Sequence, residues 1–211
     1  MDIVIPIFPN FTALDAIGPY EVLRLLPDTK ITFAAAAAGL VHADNPALAF
    51  DATAALSEID SADVLVIPGG GGTRAAMKDE AMLEWVRRIH ATTRYTTSVC
   101  TGSLVLAAAG LLDGLEATTH WAQVALLESL GAKYTEQRVV QQGKIVTAAG
   151  VSSGIDMALT LAAQIAGEDR AKAVQLIIEY DPQPPFDAGS PSKAGPRIIA
   201  LTGELDEPVA A

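Results

Sequence analysis

Cysteine is the scarcest reactive residue here: the 211-residue chain contains one, Cys100. A single thiol closes no intrachain disulfide and suits a reducing compartment, so a cytoplasmic location is expected. Basic residues are outnumbered, 14 Lys and Arg against 25 Asp and Glu, for a formal charge of −11. Nucleic-acid binding rests on phosphate neutralisation, and this charge argues against it. No apolar run reaches the roughly 18 residues that a membrane span needs. The opening Met1-Asp-Ile-Val-Ile-Pro lacks the basic stretch and apolar block of a signal peptide. Histidine is rare too. His42, His90 and His120 are scattered, show no zinc spacing with Cys100, and give no reason to expect a metal.

What the chain has in quantity is aliphatic and small residues, 50% hydrophobic in all, with a mean hydropathy of +0.32. Much of this is alanine, as in the run from Ala34 to Ala38, and buried parallel strands account for it. Residues 2–8, 31–38, 62–67, 95–99, 134–140 and 144–147 read as strands. Helical patterns fall at residues 12–26, 74–92, 101–109, 122–130, 151–165 and 168–178. Thr12 is the expected cap of the first helix, and Pro19 predicts a kink or restart near Gly18. Residues 41–50 fit a hairpin or an extended excursion. The alternation predicts an α/β fold, a mostly parallel sheet with helices on both faces. One domain is expected over residues 1–200. From Tyr180 onward proline and glycine dominate, which predicts an irregular arm ending in a partly disordered tail, residues 201–211.

Two stretches carry chemistry. In Tyr95-Thr-Thr-Ser-Val-Cys100-Thr101-Gly102-Ser103 the only thiol stands between a strand and a helix. Open α/β sheets bind ligands at the carboxyl ends of their strands, and a helix amino end favours a thiolate. The junction has the sense of a nucleophile elbow, although G-x-S-x-G is absent. A small buried hydrophobe is the alternative reading of Cys100. The second stretch, Pro68-Gly69-Gly70-Gly71-Gly72-Thr73, also follows a strand and precedes a helix. Its amides can approach a ligand closely, but it matches neither the P-loop nor G-x-G-x-x-G. Asp15 follows the first strand and His120 a later β-like segment, so both can reach the same sheet edge. His42 and His90 read as surface residues.

Four segments taken together resemble the ThiJ/PfpI superfamily: Asp15-x-x-Gly18-Pro19-Tyr20-Glu21-Val22, Pro68-Gly69-Gly70-Gly71, Ser98-Val99-Cys100-Thr101-Gly102 and Ala117-Thr118-Thr119-His120-Trp121. The resemblance implies a flavodoxin-like sandwich, a nucleophilic Cys100 at an elbow, and a homodimer. Within the superfamily the chain looks most like the branch that adds water to isocyanides. Aspartate at position 15 and Thr101 after the cysteine both point there, as does Tyr180-Asp-Pro-Gln-Pro-Pro-Phe. By motif, Asp15 matches the acid against the sulfur, and Gly70 and Gly71 match backbone donors facing the cysteine. Thr101 adds a further amide, and His120 matches a histidine near the thiol in many members. An isocyanide substrate and no cofactor are implied. Glyoxalase-type chemistry on reactive carbonyls and a cysteine redox sensor are the alternatives. The same core resembles the sensor domain of AraC-type regulators, without their helix-turn-helix.

Overall fold

A computed structural model describes residues 1–205. Its centre is a seven-stranded sheet in the order β10-β11-β7-β6-β1-β2-β5. The inner strands are β1 (Asp2–Pro6), β2 (Lys30–Ala35), β6 (Val64–Ile67), β7 (Tyr95–Val99) and β11 (Ile145–Ala148). All of these pair in parallel. Only the edge strand β10 (Val139–Gln142) runs antiparallel, against β11. The other edge is the two-residue β5 (Ala54–Ala55), beside β2. Ile3, Ile5 and all of β6 are at most 0% exposed, which is why these segments read as unbroken apolar runs.

Helices cover both faces. On one side lie α1 (Ala13–Leu23) and α6 (Ser153–Ala166), packed together, with α7 (Glu168–Ile177) against α6. On the other lie α2 (Thr73–Ala76), α3 (Glu80–Thr92), α4 (Gly102–Ala108) and α5 (Val124–Ser129). α3 shows the expected stripe, burying Met82, Leu83, Trp85, Val86 and Ile89. Two small pairs complete this unit: the hairpin β3 (Gly39–His42) with β4 (Ala49–Ala52), and β8 (Glu116–Ala117) with β9 (Lys133–Tyr134).

Several local expectations are corrected. α1 passes through Pro19 without a break, and Thr12 precedes it without a side-chain cap. The single helix expected over 74–92 is two, because Asp79 caps α3 by accepting from the Met82 amide at 3.2 Å. Residues 1–179 form one compact unit, and the described residues from Tyr180 onward form another. That second unit is not wholly irregular: it contains α8 (Pro191–Leu205), bent where Gly195 takes φ 74° before Pro196. The expected tail at 201–211 thus begins inside a helix, and residues 206–211 lie outside the described residues.

The order of the inner strands reverses at β1: the chain adds β2 on one side and β6, β7 and β11 on the other. Such a switch point opens a crevice at the carboxyl ends of the strands. The loops after β1, β6, β7 and β11 all end there.

Candidate active site

Cys100 follows β7 and holds φ at +56°, a left-handed conformation that costs a non-glycine residue about 1–3 kcal/mol. Neighbours hold it there. Its amide donates to the Ala148 and Ala149 carbonyls at 3.1 and 2.7 Å. Its carbonyl accepts from the Ser103 and Thr119 hydroxyls, both at 3.2 Å. Gly102 is required next, since a Cβ there would sit 2.2 Å from the Ile67 carbonyl oxygen. The turn is an elbow in geometry as well as in pattern.

α1 delivers Asp15 to this elbow, fully buried. Its Oδ2 accepts from the Gly69 amide at 2.9 Å, and the Cys100 thiol beside the same carboxyl favours its ionised form. Beyond those two neighbours, Oδ1 is buried with no partner. Burial therefore dominates, pushing the Asp15 carboxyl up to about 7, with the charge of Asp44 adding to it. Cys100 goes the same way. Burial first, and then the charge of Asp15, push its thiol up to about 12. The amides of Thr101 and Val151 and the Thr101 hydroxyl face the sulfur and pull in the opposite direction, without prevailing. The expected pull of the helix end toward the thiolate is present in the Thr101 amide, but desolvation and the neighbouring carboxylate outweigh it.

Thr101 links the elbow to the glycine run. Its hydroxyl accepts from the Gly70 amide at 2.9 Å and shares a hydrogen bond with the Thr73 hydroxyl at 2.8 Å. Gly69 fits because it has no Cβ, which would lie 2.5 Å from both the Thr101 amide and hydroxyl. Gly70 has φ +125° and passes so close to Thr12 that a Cβ would lie 2.4 Å from its amide nitrogen. The Gly70 amide is committed to Thr101, and Gly71 is exposed. Gly69 is the one that engages Asp15.

His120 is half-buried, and its Nδ1 accepts from the Ala122 amide at 3.3 Å. The ring packs beside Trp121 and over Gly150, the residue before the Val151 amide. His120 therefore stands at the edge of the elbow rather than at its centre. Of the other histidines, His42 bonds to the Pro46 carbonyl, and His90 bonds to Thr96. The reading by motif missed Gly69, Thr73 and Val151. The last had a usable signal: residues 145–154 repeat the strand, small residue and helix pattern of residues 95–104.

The DJ-1/PfpI family model matches residues 1–164. The chain belongs to that family. Among curated members, it is 45% identical to the isonitrile hydratase of Pseudomonas putida, over 92% of this chain and 84% of that protein. It is 29% identical to the HTH-type transcriptional regulator CdhR of Pseudomonas aeruginosa, over 80% of this chain but only 52% of the regulator. Among solved structures, a ThiJ/PfpI family protein from Pseudomonas syringae superposes with a TM-score of 0.92 at 39% identity, covering 97% of this chain and 85% of that one. The DJ-1/PfpI fold and the expected flavodoxin-like sandwich are thereby the same architecture.

Proposed function

We propose that this family member is an isonitrile hydratase, converting an isocyanide and water to an N-substituted formamide. The observation that carries the reading is the buried Asp15 carboxyl beside the Cys100 thiol, on a chain so similar to a curated isonitrile hydratase. The terminal carbon of R–N≡C must gain both a nucleophile and a proton. With Asp15 near 7 and the thiol near 12, Asp15 gives up the first proton around neutral pH, and above it the pair holds one proton in the carboxylate–thiol form. Sulfur adds to the terminal carbon as Asp15 takes the thiol proton and passes it to that carbon. The product of this step, R–N=CH–S–Cys100, is a thioimidate and contains every atom of both reactants.

Water then attacks the thioimidate carbon while Asp15 accepts one of its protons. The C–S bond breaks, the nitrogen is protonated, and R–NH–CHO leaves with Cys100 restored as the thiol. The Thr101 and Val151 amides face the sulfur and stabilise charge as it develops there. A homodimer belongs to the same proposal, and sedimentation velocity tests it.

Purified protein incubated with cyclohexyl isocyanide, followed by NMR, is expected to form the formamide, whereas Cys100→Ala forms none. Equal turnover by Cys100→Ala overturns covalent catalysis. No product from the wild type, with turnover of methylglyoxal instead, overturns the hydratase reading.

A further inference from the structure

Arg138 lies outside the elbow, directly before β10, yet it grips the loop that faces the sulfur at three points. Its carbonyl accepts from the Ala149 amide at 2.9 Å. Its Nη2 donates to Ser152 Oγ at 3.2 Å, and its Nε forms an ion pair with Asp156 in the first turn of α6. Gly150 and Val151 lie between these anchors. On the inner side the same loop is fastened to the nucleophile, since Ala149 accepts from the Cys100 amide at 2.7 Å and the Val151 amide faces the thiol. The Gly150 carbonyl accepts from the Ser153 amide and hydroxyl at 2.8 and 2.6 Å, so the loop has little slack.

α6 also has no room to settle elsewhere. A Cβ on Gly154 would lie 3.0 Å from Val99 Cγ2 and 3.2 Å from Pro19 Cγ, and one on Gly18 would lie 3.1 Å from Ile155. The first turn of α6 is thus pressed between the strand that carries Cys100 and the helix that carries Asp15. An ion pair half open to water contributes little stability by itself. Its value here is directional, because it fixes where the first turn of α6 begins.

We infer that Arg138 is a positioning residue for the nucleophile: by clamping Ser152 and Asp156 to the edge strand, it aims the Val151 amide at the Cys100 sulfur. The inference concerns the thiol itself and holds whatever the substrate is. The charged group against the sulfur is Asp15 on α1, with Asp44 acting on Asp15 in turn. Arg138 and Asp156 neutralise each other, so the clamp works through geometry rather than through net charge.

The test titrates the thiol directly. The chain has one cysteine, so ¹³Cβ-labelled cysteine gives one resonance. In an Asp15→Asn background, which removes the neighbouring carboxylate but leaves the desolvation that raises the thiol most, its inflection is followed from pH 7 to pH 12. Adding Arg138→Gln is expected to move that inflection up by about 0.5–1 unit, the scale of one weakened hydrogen bond to a charged group. Arg138→Lys keeps the pair with Asp156 but not the second bond, and is expected to fall between the two. An unchanged inflection in Arg138→Gln, or Lys equal to Gln, overturns the inference. If Arg138→Gln does not fold, Ser152→Ala removes one exposed contact and must shift the inflection in the same direction. No substrate enters this measurement, so its failure is distinct from failure of the hydratase reading.

Discussion

Asp15 and Cys100 act on each other with opposite sign. The charge of Asp15 raises the thiol, whereas the thiol beside it lowers the carboxyl. Both effects favour the same arrangement, a carboxylate facing a protonated sulfur. In the proposed reaction the nucleophile is therefore stored as a thiol beside the carboxylate that would take its proton.

Burial of Asp15 costs stability in a definite pH window. Its carboxyl titrates near 7 in the folded chain against an ordinary 3.8. Between those values the folded state holds a proton that the unfolded chain has released, so stability falls as pH rises through the window and levels off above it. The full shift is worth about 4 kcal/mol as an upper bound, or about 10 °C at this size. Asp15→Asn removes the titration and keeps an acceptor for Gly69. Thermal melts are expected to show Asp15→Asn gaining on wild type from pH 5 to pH 8; a constant gap refutes the linkage.

Turnover should follow the same proton. The competent pair carries one proton, so kcat/KM for an isocyanide is expected to rise from pH 5 through about 7 and then stay flat to pH 10, below the thiol value near 12. A profile that falls between pH 6 and pH 8 would mean that Asp15 must be protonated at the start, and the proton relay would have to be reversed.

Thr101→Val is nearly isosteric and deletes one hydroxyl. It strands the Gly70 amide and the Thr73 hydroxyl, which both bond to it. A loss of about 1–3 kcal/mol is expected by denaturant titration. A larger fall in kcat than in KM binding is expected as well, because the hydroxyl also faces the sulfur. Thr101→Ser, which restores the hydroxyl, should recover most of both.

Gly69→Ala places a Cβ against the backbone of Thr101, where no flexible side chain can yield. The expected outcome is a destabilisation of about 1–3 kcal/mol with turnover lost. Gly71→Ala, at an exposed position where a Cβ meets only Asn10 O at 4.0 Å, should melt and turn over like wild type. If the two variants behave alike, the close approach at Gly69 is not what the glycine run is for.

The parallel core was legible because strands buried on both faces read as continuous apolar runs, and the switch from strand to helix at Cys100 marks itself in the residues. The division of labour within the glycine run was not. Four glycines in a row look equivalent in sequence, and only the crossing of the β1 and β6 loops selects Gly69 for Asp15 and Gly70 for Thr101. Pro19 misled in the opposite sense. It forbids one donor in α1, but packing against α6 keeps the helix continuous through it. The direction of the thiol's shift also needed the fold, since desolvation depends on what surrounds Cys100, not on what adjoins it in sequence.

The loops around the elbow use one another's backbone. Thr12 donates to the Gly69 carbonyl at 2.8 Å, Gly72 donates to the Asn10 carbonyl at 2.9 Å, and Cys100 donates to Ala149. A lengthened or shortened loop therefore disturbs its neighbours along with itself.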